Sequence, residues 1–405
     1  MRTYLPRETS ARWLAFLLLL FVATACSGPS TPSSTSVSMG SRSTTPEGRK
    51  STTPPGGQIT PTSFSNGITL ERNGVIYVVR PGGSGLRKLV AIPGCGPDGS
   101  LGHDPCEAYV LAAWSPDGKH LAFSLLKWWG GSGTRGHVYV VNADGTGMHA
   151  LRACNCAQFA WSPNGARLAL VDAGKGGDLL RLSHGWLDTY RVNGEVEHRT
   201  SIPIWFSSPS WAQDGASIYF SELHSSADWL YMVGADGSGL RRMGTMPVSQ
   251  DGVVEWSPSH SGVIHDEYDQ RRNVLNEYVD NPIGPSYADY GREHPRLIRR
   301  SGCIGPGQDA GVPCGGPIWS PDGTRILYTD TVGVWTVDAH GSHPTLVFRW
   351  PAGTEFGGGI FWSKDGRWIV LTTRSGGGVS QVVMHADGSG LTHVPAGGSL
   401  IAVGP

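Results

Sequence analysis

Four consecutive residues, Asp266-Glu267-Tyr268-Asp269, bring three carboxyls and a phenol together, enough in kind for a general acid and a general base. Other groups suited to ligands gather in short clusters along the same chain. They are Trp128, Trp129, Arg135 and His137; Lys175, Asp178, His184 and Trp186; His224 and Asp228; and Arg271 and Arg272. Paired aromatics with carboxylates and guanidinium groups suit a carbohydrate or peptide site. The same residue types also dominate the energy of protein-binding rims. The plainer alternative is that each one packs or solvates a long loop. There is no Gly-x-Ser-x-Gly elbow and no phosphate-cradling glycine loop to single out a reaction.

Metal chemistry has little footing. The 14 His are scattered, and His340-Gly-Ser-His343 falls in a turn-like stretch. One carboxylate in each Ala-Asp-Gly-Ser-Gly turn falls short of the six to eight oxygens calcium takes. No metal and no other cofactor is expected. Six cysteines follow Cys26, and an even number in an exported chain reads as disulfides. Cys95 with Cys106, and Cys303 with Cys314, would each staple a Gly- and Pro-rich connection ahead of a Trp motif. Cys154 and Cys156 then pair by elimination, although a bridge across one residue is strained and a redox role stays open.

The elements that must position these groups are legible in the composition. Of 405 residues, 58 are Gly and 28 are Pro, while 39% are hydrophobic, so the chain can build a core rich in turns and strands. A formal net charge of −1 gives no reason to expect a nucleic-acid partner. Arg2, Arg7 and Arg12 precede an apolar run from Trp13 to Ala23 that is too short to span a bilayer comfortably and reads as a secretory signal. Residues 26–66, after Cys26, are nearly all Ser, Thr, Pro and Gly, a composition that cannot offset its ordering entropy and predicts a disordered tether.

Beyond the tether, one unit repeats. Trp114-Ser-Pro-Asp-Gly, Trp161-Ser-Pro-Asn-Gly, Trp211-Ala-Gln-Asp-Gly, Trp256-Ser-Pro-Ser, Trp319-Ser-Pro-Asp-Gly and Trp362-Ser-Lys-Asp-Gly follow one another at intervals of forty-odd to sixty-odd residues. Each is followed by alternating apolar runs and a second turn such as Ala-Asp-Gly-Thr-Gly. Asp-Gly and Asn-Gly between alternating runs signal hairpins, so each unit predicts four short strands, a propeller blade.

This pattern, W-S-P-D-G then a strand then D-G-x-G, resembles the TolB-type, WD40-like β-propeller repeat across residues 67–405. The stretch Ala23-Thr-Ala-Cys26 resembles the lipobox of bacterial lipoproteins, which implies cleavage after residue 25 and lipidation of Cys26. An ordinary cleaved signal with an incidental Cys is the alternative. Trp211 lacks Ser-Pro, and Ser259-His-Ser stands where Asp-Gly is expected after Trp256.

Six Trp motifs suggest six blades, yet strands also precede the first. Aligning Ile401-Ala-Val-Gly-Pro405 with Ala112-Ala-Trp-Ser-Pro116 puts Val403 at the Trp position. The expectation is therefore an all-β, seven-bladed propeller whose last strand joins the N-terminal strands; six blades with a stray hairpin is the alternative. In a blade the one-to-two and three-to-four turns share one face, and these are short and uniform here. The opposite face collects the irregular connections 127–137, 172–188, 222–228, 265–276 and 287–317, where function is expected. The expected protein is a monomeric, envelope-facing lipoprotein held to the membrane through Cys26, its propeller binding envelope proteins or polymers. An extracytoplasmic lyase, hydrolase or cyclase working in the funnel is the rival, since fold does not dictate function.

Overall fold

A computed structural model describes residues 67–93, 100–101, 104–105, 109–128, 134–154, 159–172, 185–202, 209–222, 228–246, 254–260, 262–269, 274–280, 296–300, 315–394 and 397–404. The signal, tether and Cys26 lie outside these residues, as do Cys95, Cys106, Cys156, Cys303 and Cys314 and the side chain of Cys154. Every regular element among the described residues is a strand.

Apart from the short pair Ser100–Leu101 and Asp104–Pro105, the strands form seven four-stranded antiparallel sheets. Blade one is Ser399–Val403, Ile68–Arg72, Val75–Val79 and Arg87–Ala91; blade two is Tyr109–Trp114, His120–Trp128, Thr134–Asn142 and His149–Cys154. Blade three is Phe159–Trp161, Arg167–Asp172, Gly185–Arg191 and Val196–Ile202; blade four is Ser210–Trp211, Ser217–Glu222, Asp228–Gly234 and Arg241–Met246. Blade five is Val254–Trp256, Val263–Asp269, Val274–Asp280 and Arg296–Arg300; blade six is Ile318–Trp319, Arg325–Thr329, Gly333–Asp338 and Thr345–Arg349. Blade seven is Thr354–Trp362, Trp368–Ser375, Gly378–His385 and Thr392–Val394. Blade one takes its first strand from the C-terminus, with Ile68 opposite Val403 just as Leu121 stands opposite Trp114. That is the seven-bladed closure, and it leaves the ring without an open sheet edge at the seam.

The core is divided among the joints between blades, one buried apolar cluster at each. Neighbouring first strands touch at several joints around the axis, and four of the motif Trp side chains bond across to the next blade. Trp161 Nε1 donates to the Ala113 carbonyl at 2.9 Å, Trp211 Nε1 to Ala160 at 3.1 Å and Trp319 Nε1 to Glu255 at 3.3 Å. Blade one, lacking a Trp, receives Trp114 Nε1 on the hydroxyl of Thr69 at 2.8 Å.

The turn chemistry explains the motif. In Ser115-Pro-Asp-Gly118 the Ser115 hydroxyl donates to Asp117 at 2.7 Å and accepts the His120 amide at 3.0 Å. Gly118 closes the turn at φ +71°, where a Cβ is strained. Blade five keeps the same turn with His260 in the glycine slot at φ +55°, its amide on the Ser257 carbonyl at 2.8 Å. Its imidazole stacks on Tyr219 of blade four at 4.4 Å and its Nε2 shares a hydrogen bond with the Ser210 hydroxyl at 3.0 Å. The side chain thus supplements the smallest of the apolar joints among the described residues, built on Leu230, Trp256 and Val263.

Candidate binding site on the loop face

The loop face is lopsided. In blades one, six and seven the second and third strands turn back tightly, through Asn73-Gly74, Thr331-Val332 and Gly376-Gly377. Blades two to five carry the longer second-to-third connections, so of these hairpins the ones able to bear candidate chemistry lie on one arc of the ring. Strand alternation runs further into these connections than the sequence suggests. The second strand of blade two reaches Trp128 and the third starts at Thr134, and in blade five the strands reach Asp269 and resume at Val274. Arg135 lies in the third strand opposite Lys127, and Asp228 lies opposite Met246. Asp266, Tyr268 and Asp269 lie opposite Glu277, Leu275 and Val274, so the acidic run is part of a strand rather than a loop. The side chains of Trp128, Arg135, Asp228, Asp266, Tyr268 and Asp269 lie outside the described residues, as do Trp129, Lys175, Asp178, His184, His224, Arg271 and Arg272 entirely.

At the loop-face end of blade three, the described side chains form a built cluster. Asp172 ends the second strand opposite Trp186, and Asp188 stands two residues further along the third strand. Arg199, on the fourth strand opposite Asp188, donates from Nε to Asp188 Oδ1 at 2.8 Å and from Nη2 to Oδ2 at 2.9 Å. Its Nη2 also reaches Asp172 Oδ2 at 3.0 Å. Asp188 is 1% exposed and Asp172 5% exposed, so the guanidinium answers two desolvated carboxylates, and a bidentate fork does so with fixed direction. The bond to Asp188 raises the Arg199 pKa, keeping it charged. The same guanidinium lies 5.0 Å from the centre of the Trp186 ring. Trp186 is 38% exposed, a large apolar surface set beside a fixed charge.

Blade four repeats the arrangement in register. Glu222 lies opposite Trp229, Tyr231 follows two residues on and pairs with Arg242. Tyr231 donates to Glu222 Oε2 at 2.9 Å, and Arg242 covers the Trp229 ring at 3.9 Å. Desolvation, then the bond to Glu222, pushes the Tyr231 phenol up to about 12, so it stays a donor. His137 holds the equivalent place in blade two, against Tyr139 at 6.0 Å. The arc is thus His137, Trp186 and Trp229, two of them backed by an acid and an arginine.

Of the residues singled out from sequence, the structure brings Trp186 and His137 to the same register and shows Trp186 in contact. It adds Asp172, Asp188, Arg199, Glu222, Trp229, Tyr231 and Arg242, which sit inside strands rather than in loops. Their signal is present in the repeat: the acid falls at one fixed distance after Trp161 and Trp211. Chemically the arrangement suits recognition. Asp188 and Asp172 both bind the Arg199 guanidinium, which fixes the polar edge beside Trp186 in one orientation. A groove of about 750 Å³ opens elsewhere, on the turn face, beside Lys119, His120, Arg167, Arg191, Glu197 and His198. Among the described residues no group of three or more His, Cys, Asp or Glu is placed to hold a metal ion.

No protein-family model matches the chain, and no curated protein matches it. Solved structures do. TolB from Acinetobacter baumannii is 16% identical over 72% of this chain and 64% of that one, with a TM-score of 0.41. A putative TolB from Agrobacterium tumefaciens is 16% identical over 66% of this chain and 93% of that one, at 0.41. An oligogalacturonate lyase in complex with manganese is 13% identical over 70% of this chain and 76% of that one, at 0.47. The chain therefore spans 64% of the length of the first of these, and at such identities the likeness is one of fold. Seven sheets, the Trp hydrogen bonds across the hub and the shared terminal blade make the chain a seven-bladed β-propeller.

Proposed function

We propose that the protein is an extracytoplasmic lipoprotein, anchored through Cys26, whose propeller binds an envelope protein or polymer on the arc of blades two to four. The observation that carries this reading is Trp186, exposed on a guanidinium that is itself locked by two buried carboxylates. A rigid aromatic surface with a fixed polar edge loses little entropy on binding, which is why such groups anchor interfaces and sugar sites.

Capture from membranes under mild crosslinking tests the reading. The full chain is expected to enrich a discrete envelope component, and Trp186→Ala to lose about ten-fold or more of it, as for an interface anchor. Equal capture by the variant would sink the assignment of the site. Intact-mass measurement of the membrane-extracted protein tests the anchor, which predicts an acylated chain beginning at Cys26.

A further inference from the structure

The turn face carries a periodic feature that neither packing nor turn chemistry uses. Large apolar side chains left exposed include Leu86 at 49%, Met148 at 37%, Leu240 at 38% and Leu391 at 43%. Scattered singly, such residues mean nothing. These four hold one position, the residue that follows the Gly-x-Gly turn between the third and fourth strands, in blades one, two, four and seven. Pro344 holds that position in blade six and is exposed, and in blade three the exposed Val196 stands one residue earlier. The equivalent residues of blade five lie outside the described ones. Apolar groups thus ring the rim of one face.

Two further observations say what meets this ring. Gly67 and Gly404 are the counterparts of His120 and Ser115: the Gly404 amide donates to the Gly67 carbonyl at 2.8 Å as the Ser115 amide does to His120. The tether that starts at Cys26 therefore joins the ring at a broken one-to-two turn, on the same face as the apolar rim. Exposed basic residues flank the rim as well, Arg87 and Lys88 after Leu86 and Arg241 after Leu240. The neighbouring acids Asp144, Asp236 and Asp387 are folded onto Thr146, Ser238 and Ser389 hydroxyls at 2.6, 2.6 and 2.7 Å.

We propose that the turn face docks on an anionic phospholipid surface, the rim of Leu86, Met148, Val196, Leu240, Pro344 and Leu391 entering the interface. Apolar side chains with flanking Lys and Arg are the chemistry of interfacial association. Docking in this way holds the Trp186 arc outward, away from the membrane. The inference rests on the lipoprotein reading for its cellular setting, but its physics does not need the acyl chains.

The test uses an unlipidated chain beginning at Ser27 and vesicle flotation. With vesicles of equal parts phosphatidylglycerol and phosphatidylcholine the chain floats; with phosphatidylcholine alone, binding falls about ten-fold, the loss of roughly one to two charge contacts. The combined change Leu86→Ser, Leu240→Ser and Leu391→Ser lowers binding to the mixed vesicles by a further ten-fold or more. Those side chains are exposed, so an unchanged melting temperature confirms an intact ring. Val379→Ser, an exposed apolar residue on the loop face, leaves flotation unchanged. Absence of flotation by the unsubstituted chain, or equal flotation by the triple variant, overturns the proposal. So does a concentration-dependent dimer in sedimentation that the triple variant abolishes, because the rim would then meet a second copy. None of these outcomes depends on acylation of Cys26 or on capture through Trp186.

Discussion

The amide of Gly404 donates to the carbonyl of Gly67 at 2.8 Å, so residues from opposite ends of the chain meet at one turn of one blade. This bond and the register Ile68 to Val403 close the ring non-covalently. Removing Ser399–Pro405 should expose the edge of Ile68–Arg72 and uncover Leu70 and Trp368, which are buried with Leu400. Melting should fall by several degrees and aggregation should appear in size-exclusion chromatography. Unchanged melting would mean the ring closes without that strand.

Arg199→Ala leaves Asp188 and Asp172 desolvated without their guanidinium. Removing one partner of a buried pair costs 3–5 kcal/mol, and because Arg199 is 31% exposed the expected loss is about 2 kcal/mol. Arg199→Lys should recover only part of it, since an ammonium cannot span both oxygens of Asp188. Denaturant unfolding of the three proteins measures the order.

Glu255 sits before Trp256 on a first strand, where other blades place Ala113, Ala160 or Ile318. Desolvation pushes its carboxyl up to about 7, against the lowering effect of the Trp319 backbone N–H. A raised carboxyl pKa means its contribution is whole below the unfolded value of 4.5 and is lost as pH rises through about 7. Glu255→Gln should therefore gain melting temperature relative to the unsubstituted protein at pH 8, and gain least near pH 5. A gap that does not vary with pH would refute the placement.

His260 carries the opposite sign. Desolvation holds its pKa down to about 4, so the imidazole is neutral in the ring. Its contribution is present above the unfolded value of 6.5 and fades as pH falls toward 4. Asn tolerates the left-handed φ, so His260→Asn should keep the turn, lose the stack on Tyr219 and flatten the decline in melting temperature over that interval. Parallel declines in both proteins would count against it.

The turns were legible in the sequence because their chemistry is local: Ser115, Asp117 and Gly118 specify one hairpin among themselves. Val403 was legible for the same reason, through its neighbours Ala402 and Gly404. The Asp188–Arg199 pair was not, because a buried acid in a strand makes sense only once the register to the next strand is known. Reading loops as the seat of function also hid Glu222 and Arg242, which the repeat alignment places beside Trp229. That Leu86 and Met148 face solvent follows only from the turn geometry.

Photo-crosslinking in cells addresses the central claim most directly. With p-benzoylphenylalanine in place of Trp186, the account predicts a discrete adduct with an envelope protein or polymer. The same group in place of Val379, on the tight-turn side of the loop face, should give none. Equal labelling at both positions, or no adduct at position 186 in cells that carry the folded protein, would contradict it.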